Sequence, residues 1–379
     1  MRIIQLFLDD KFVDAAIDAL SHQENVLNII VTDSKELKYV KSKEIIQYTT
    51  QELVSVFPRL TNSYDYVFFH SLPSLFRKLI IHNKKEVTYC WFLWGFDYYN
   101  EWEIERIRLC ENLYSEKKID KFKDQLIYNN VSHYLFGNNF LKKYYDNEFL
   151  NAVRELDFVA PVLPNEFKKI KRLNSNIKYL PYTYGYLEKY IGDSINVDLS
   201  KKRNILLGNS ADPSNNHISI LFRLSKINLE DRKVIVPLSY SGNEKYKNEV
   251  IEYGYKVLGD KFVPLSNFIP IEDYNNIVFN CGIVIFNHIR QQAIGNLIVM
   301  GYLGAKIFLN KKSVTSKFLN NYDVFFKTTD HISYKELNTI LTCTQIESNK
   351  EFFYSYFSKE AVEVRLHTML SILRNKNCH

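Results

Sequence analysis

The chain has 379 residues and a mass of 44.9 kDa, enough for two domains with separate cores, and 46% hydrophobic with 24% charged residues excludes a disordered or fibrous chain. The net charge of +6 suits an anionic ligand or an anionic lipid surface and excludes a nucleic-acid-binding charge profile. No run reaches the roughly 18 apolar residues of a membrane span, and the start MRIIQLFLDDKF meets two aspartates before any signal-like apolar region forms.

The five cysteines (Cys90, Cys110, Cys281, Cys343 and Cys378) are scattered and lack C-x-x-C spacing, which fits a reducing, cytoplasmic setting without a zinc site. Aromatic residues reach 15%, so some rings are expected to line a groove or touch a membrane interface, unless an AT-rich genome accounts for them.

Short apolar runs alternate with helix-length connections in chain order: IIQLFL (3–8), NIIVTD (28–33), IIQYT (45–49), YVFFHSL (66–72), VTYCWFLWG (87–95) and FVAPVL (158–163). Between 101 and 128 the pattern predicts charged amphipathic helices with lysines clustered at 117–123. A basic stretch, FKKIKRLNSNIK (167–178), follows and could meet lipid head groups together with those lysines. The polar segment 192–203 precedes a second series: NILLGNS (204–210), KVIVPLSY (233–240), KFVPLSNF (261–268), IVIFNH (283–288) and KIFLN (306–310). Runs this apolar on both faces belong to parallel sheets covered by helices, so two sets predict an α/β chain of two doubly wound, Rossmann-like domains. The expected division is 1–195 and 196–350, with 351–379 a terminal helix packing back on the first domain.

The sharpest local motif is ILLGNSADPSNNHISILFRL (205–224), a buried strand that breaks at Gly208 into a polar loop feeding a helix. Asp212 and Pro213 suit a helix cap and first turn, and Asn209, Ser210, Ser214 and Asn215 add donors for a phosphate or diphosphate. The same residues also serve a plain turn and cap. In IVIFNHIRQQAIGN (283–296) another strand end presents Arg290, suited to gripping a diphosphate, Gln291 and Gln292, suited to sugar hydroxyls, and Gly295, which permits close approach. Tyr240 closes a third strand at the same predicted edge. In the first half, His70 and Asp97 lie at strand ends and are candidate general bases, although a lone His or Asp more often serves structure. The sequence holds no D-x-D, H-E-x-x-H, G-x-S-x-G or Walker motif.

These strings in order, with G-N-S-x-D-x-S-N-x-H and R-Q-Q-x-x-G in the second half and FFH (68–70) and W-x-x-W-G-x-D (91–97) in the first, resemble the 4-acetamido-4,6-dideoxy-galactosyltransferases of glycosyltransferase family 56. The resemblance implies a GT-B fold, two Rossmann-like domains facing a cleft, and a reaction with no metal or other cofactor. It implies a nucleoside-diphosphate sugar donor, TDP-4-acetamido-4,6-dideoxy-galactose or a related sugar, and an undecaprenyl-diphosphate-linked saccharide acceptor at the anionic cytoplasmic face of the bacterial inner membrane. Carried onto this chain, Gly208, Asn209, Ser210, Asp212, Ser214, Asn215 and His217 form the diphosphate loop. Tyr240, Arg290, Gln291, Gln292 and Gly295 complete the donor site, and Asp97 or His70 acts as base. Pro213 and SGNEK (241–245) depart from the family pattern and leave the sugar and acceptor open. Two rivals remain at this point: a nucleotide-sugar 2-epimerase of the same fold, needing no acceptor, and a non-catalytic bilobal sugar-binding protein.

Overall fold

The computed structural model describes residues 1–83, 87–99 and 148–376. The expected helices of 101–128, the lysines at 117–123, Cys110 and Cys378 lie outside the described residues. Cys90 and Cys281 are buried thiols and Cys343 is an exposed one.

The described chain falls into two compact units. The first comprises the described residues through Gly185 and those from Glu360 onward; the second runs from Tyr186 to Lys359. In the first, strands β1 (Ile3–Leu8), β2 (Val26–Val31), β3 (Ile46–Tyr48), β4 (Tyr66–His70), β5 (Thr88–Phe92), β6 (Phe158–Ala160) and β7 (Lys178–Tyr179) form one parallel sheet in the order β3-β2-β1-β4-β5-β6-β7. Helices α1 (Val13–Leu20), α2 (Thr50–Thr61), α3 (Ser74–His82), α4 (Phe96–Tyr99), α5 (Glu148–Glu155) and α6 (Phe167–Lys171) make the connections among the described residues. β1 and β4 are apolar on both faces because both faces are covered. Ile4, Leu6, Val67 and Phe69 pack with Leu53 and Phe76 in one cluster, whereas Ile3, Tyr66 and Phe68 face another.

In the second unit, after α7 (Leu187–Ile191), strands β8 (Asn204–Leu207), β9 (Val234–Pro237), β10 (Phe262–Leu265), β11 (Cys281–Phe286), β12 (Lys306–Leu309) and β13 (Lys327–Thr328) are parallel in the order β10-β9-β8-β11-β12-β13. The helices are α8 (His217–Leu224), α9 (Glu244–Leu258), α10 (Ile271–Val278), α11 (Ile294–Tyr302), α12 (Val314–Leu319), α13 (Tyr334–Asn338) and α14 (Cys343–Phe357). Both sheets wind outward from their first strand and reverse after the third, the doubly wound pattern in which strand order switches beside the first strand. The switch lies between β1 and β4 in one sheet and between β8 and β11 in the other.

The division at Gly185/Tyr186 is ten residues ahead of the expected 195/196. α7, within that interval, packs on α11 and α14 and so belongs with the second unit. The expected single terminal helix over 351–373 is two helices, α14 and α15 (Lys359–Lys376), parted where Ser358 adopts an extended backbone at φ −60° and ψ 160°. Only α15 joins the first unit. Its Met369, Leu370 and Leu373 are buried with Ile3, Tyr66 and Phe158, and the Tyr66 hydroxyl donates to the Leu373 carbonyl at 2.5 Å. Burying three such side chains contributes several kcal/mol, at about 1.5–3 kcal/mol each.

Candidate functional site

In an open parallel sheet, the loops leaving the carboxyl ends of the strands on either side of the switch diverge and leave a crevice for a ligand. In the second unit those loops are the two that the sequence singles out. β8 ends at Gly208, whose φ of +69° suits glycine. A Cβ there would lie 2.5 Å from His217 Nε2 and 3.0 Å from Asn215 Oδ1. Gly208→Ala is therefore expected to destabilise the second unit by about 1–3 kcal/mol. At Gly295 an added Cβ meets only Tyr190 Cζ, at 3.9 Å, so Gly295→Ala should keep the wild-type Tm in the same thermal scan. Equal melting of the two variants would contradict this picture of the loop.

Beyond Gly208 the loop is held from within. Asp212 caps the short 3-10 turn Pro213–Asn215 by accepting from the Ser214 N–H at 2.9 Å. The Asn215 amide donates to the Ser210 and Asp212 carbonyls, each at 3.1 Å. Asn216, left-handed at φ +54°, donates to the Asn287 carbonyl at 3.2 Å and so ties the loop to the end of β11. His217 is fully buried, with Nδ1 3.1 Å from the Tyr246 hydroxyl of α9.

The second loop, Asn287–Gln292, closes on the first through Arg290. Its Nη2 donates to Asp212 Oδ2 at 3.2 Å and its Nε to Ser214 Oγ at 3.0 Å, with both side chains of the ion pair mostly buried. Burial pushes the Asp212 carboxyl up, but the Arg290 charge and the Ser214 hydrogen bonds outweigh it and hold the pKa below the usual 3.8. A third Arg290 N–H donates to the Gln291 carbonyl at 3.4 Å, which leaves two of the five guanidinium N–H donors without an acceptor among the described residues. Gln292 bridges the loops, donating to Asn209 Oδ1 at 2.9 Å and Ser210 Oγ at 3.2 Å. Gln291 Oε1 and His288 Nε2 are buried without a hydrogen-bond partner, and burial followed by the Arg290 charge lowers His288 to about 3, so the ring is neutral. Next to this loop, α11 begins at Ile294, and its first N–H groups, including that of Gly295, have no acceptor within the helix. Two strand-end loops, an arginine with spare donors and a helix N-terminus form an anion-binding arrangement.

The structure thus joins Gly208, Asn209, Ser210, Asp212, Ser214, Asn215, His217, Arg290, Gln291 and Gln292 in one network and places Gly295 beside it. Tyr240 enters through its backbone, its carbonyl accepting from the Ala211 N–H at 2.9 Å. Asn216, Asn287 and Tyr246 belong to the network and were not anticipated; the doubled Asn in SNNH was the available signal for a left-handed residue.

At the switch of the first sheet the outcome differs from expectation. His70, at the end of β4, is 1% exposed and stacked between Phe7 and Phe92, with ring centroids at 4.2 and 4.6 Å. Its Nδ1 lies 2.5 Å from the Tyr184 hydroxyl and its Nε2 2.9 Å from Gln5 Oε1. The Gln5 amide donates onward to Asn28 Oδ1 at 2.8 Å, so Gln5 Oε1 must accept and Nε2 carries the ring proton. Burial drives its pKa well below 6.5. His70 is a neutral core histidine with both nitrogens engaged, which corrects its candidacy as a base. Asp97 is 2% exposed; Oδ2 accepts from the Trp91 indole at 2.7 Å and Oδ1 from the Trp94 N–H at 3.0 Å. Burial raises its pKa to about 7 against these hydrogen bonds. Such a value suits a general base, but the oxygens are committed to holding the turn after β5, where Gly95 has a φ of +93°.

Asp9 and Asp10 follow β1 at the same switch. Asp9 accepts the N–H groups of Lys38, Tyr39 and Val40 at 2.6, 3.1 and 3.3 Å, anchoring a surface loop. Asp10 is half-buried and accepts from the Phe12 N–H at 3.2 Å through Oδ1. Burial raises its pKa, partly opposed by the Phe12 N–H and Lys11.

The profile of the family described as 4-alpha-L-fucosyltransferase glycosyl transferase group 56 matches residues 167–364. Among solved structures, HepE of Anabaena in complex with UDP-glucose is similar over 98% of this chain and 99% of its own, with TM-score 0.64 and 13% identity. A glycosyltransferase from Rickettsia africae is similar over 99% of this chain and 98% of its own, with TM-score 0.59 and 15% identity. Sucrose-phosphate synthase of Thermosynechococcus elongatus is similar over 99% and 100%, with TM-score 0.63 and 10% identity. At these identities the likeness is one of fold, the GT-B pairing of two Rossmann-like domains.

Proposed function

The chain belongs to glycosyl transferase group 56, and on that premise we propose that it transfers a deoxyamino sugar from a nucleoside diphosphate to a hydroxyl of a polyprenyl-diphosphate-linked saccharide in bacterial surface polysaccharide synthesis. One observation carries the donor half of this reading: the Gly208 and Asn287–Gln292 loops meet at the sheet's switch point through Arg290 and Asp212. The spare Arg290 N–H donors and the N–H groups opening α11 bind the diphosphate and stabilise the charge it gains as it leaves. This positive field does the work that a divalent cation does in D-x-D enzymes, so the reaction needs no metal. Gln291, with a buried acceptor unsatisfied, is placed to take a sugar or ribose hydroxyl.

TDP-4-acetamido-4,6-dideoxy-galactose or a close relative is the proposed donor, and the UDP-glucose complex of HepE supports a nucleotide sugar as the class. The acceptor is the proposed undecaprenyl-diphosphate-linked saccharide, reached from the cytoplasm by peripheral attachment. No helix among the described residues is long and apolar enough to cross a membrane. Lys168, Lys171, Arg172 and Lys178 are exposed on the first unit and give anionic lipid a basic surface.

Calorimetry with TDP, UDP, GDP, ADP and CMP, with and without EDTA, tests the reading. One nucleoside diphosphate should bind at micromolar concentration and EDTA should leave its Kd unchanged. Binding of none of them would refute the donor site, and binding abolished by EDTA would refute the metal-free reaction.

A further inference from the structure

We propose that the second unit carries a further anion site, for a phosphate group, at the edge of its sheet opposite the Gly208 and Asn287–Gln292 loops. It begins with a basic run that the reading above leaves unused, Lys201, Lys202 and Arg203, in the polar segment just before β8. The segment is fixed to the sheet. The Leu199 N–H donates to the Leu303 carbonyl at 2.9 Å and the Lys202 N–H to the Leu199 carbonyl at 3.0 Å. It presses so closely on β11 that a Cβ at Gly282 would collide with the Leu199 and Lys202 carbonyls. Arg232 and Lys306 reach the same edge from the residues before β9 and the first residue of β12, about 16 Å along β11 from Asn287. Together Lys201, Lys202, Arg203, Arg232 and Lys306 line a cavity of about 190 Å³, and no acidic residue stands among the described residues on its wall.

Two of these cations are built in, Arg232 at 3% and Lys306 at 6% exposure. Arg232 donates from Nη1 to Glu230 Oε2 at 3.3 Å and from Nη2 to Asn338 Oδ1 at 2.6 Å and the Leu337 carbonyl at 3.1 Å. Lys306 donates to the Glu336 carbonyl at 2.6 Å, to Glu336 Oε2 at 2.9 Å and to the Thr339 carbonyl at 3.0 Å. These bonds fix both heads at the end of α13, so neither loses rotamer freedom when a ligand arrives. Arg232 Nε stays buried without a hydrogen-bond partner, an unmet donor on the cavity wall. The nearby carboxylates are stretched thin: Glu230 serves Arg203, Arg232 and the Tyr334 hydroxyl, and Asp231 serves Arg203 as well. Lys202 makes no ion pair among the described residues, and Lys201 has only the field of Asp198. Five cations thus face four carboxylates, none of them on the wall. A phosphate fits better than a carboxylate, because the planar fork of Arg232 is already taken, whereas ammonium groups bind a compact dianion as point charges from several sides. The volume is below the roughly 300 Å³ of a pocket for a whole small molecule, so the site takes the phosphate and leaves the rest of an ester outside. Ile340, 65% exposed on the same wall, gives that organic part an apolar neighbour. A soluble phosphate ester and a phospholipid head group both carry this chemistry.

The test is calorimetric titration of the full chain with inorganic phosphate at constant ionic strength, with Arg290→Lys as background so that the Asn287–Gln292 loop adds little. That variant should bind phosphate with a Kd of about 1 mM or below. Adding Lys201→Ala and Lys202→Ala should weaken binding roughly tenfold and leave the Tm unchanged, since both lysines are exposed. No phosphate binding in Arg290→Lys, or equal binding with and without the two lysines, overturns the proposal. Vesicles of phosphatidylglycerol separate the sources. Release of the wild-type chain by phosphate, but not by chloride at the same ionic strength, assigns the site to a lipid head group; vesicle association unchanged by phosphate assigns it to a soluble ester. A chain that binds no nucleoside diphosphate refutes the transferase donor site and leaves this one standing.

Discussion

Arg290→Ala is expected to weaken nucleoside diphosphate binding by about two orders of magnitude and to destabilise the second unit by about 3–5 kcal/mol. The first effect follows from the loss of every guanidinium donor at the junction of the two loops. The second follows from burial: Arg290 and Asp212 side chains are 8% and 13% exposed, so removing the cation strands a carboxylate that water reaches poorly. Arg290→Lys separates the two, because a lysine keeps the charge but cannot donate to Asp212 and Ser214 from one planar fork. It should recover most of the stability and little of the affinity. Asp212→Asn added to Arg290→Ala should recover stability alone. The pair also dictates an acid response. Its stabilisation is complete above the unfolded carboxyl value near 3.8 and is lost as pH falls through the lower folded value. Without Arg290 the burial of Asp212 is opposed only by the Ser214 hydrogen bonds, and this acid-side contribution should shrink. Calorimetric titration with TDP and urea unfolding read both quantities; wild-type affinity in Arg290→Ala would remove Arg290 from the donor site.

Most of the fold was legible because a parallel strand covered on both faces must be apolar at nearly every position, and β1, β4, β8 and β11 are. β7 and β13 were invisible because two residues, Lys178–Tyr179 and Lys327–Thr328, carry no periodicity. The break at Ser358 was missed because apolar spacing continues across it at 357 and 361, and only the backbone registers the turn. That two strand-end loops carry the polar cluster was legible from Gly208 and Arg290, and the structure joins them through the Arg290–Asp212 pair. The surroundings of His70 and Asp97 were not legible. His70 and Asp97 drew attention by residue type, yet what separates a base from a packing residue is which lone pairs are already taken. For His70 that depends on Gln5 and Tyr184, from distant parts of the sequence, and for Asp97 on the fold of the turn that brings the nearby Trp91 indole onto its carboxylate.

The commitment of Asp97 to structure can be read through its titration. In the unfolded chain its carboxyl titrates near 3.8 and in the folded unit at about 7, so between those values the folded state holds the extra proton and stability falls as pH rises. The slope is up to about 1.4 kcal/mol per pH unit. His70 works in the opposite sense. Below its ordinary 6.5 the unfolded chain binds a proton that the buried, neutral ring refuses, so stability falls as pH drops. Between pH 5 and 6.5 the two nearly cancel. Asp97→Asn removes one arm and should expose the other: relative to wild type, the stability of the first unit should drop more steeply toward acid by about 1.4 kcal/mol per pH unit. The amide also meets the Trp91 indole with a second donor, a fixed loss that shifts the curve without tilting it. Because the quantity is a difference, contributions shared by both proteins drop out. The buried Trp91 and Trp94 supply the signal for urea unfolding across that range. Parallel curves would mean that Asp97 titrates as an ordinary surface carboxylate. Its oxygens would then be reachable by solvent, and their commitment to holding the turn after β5 would be refuted.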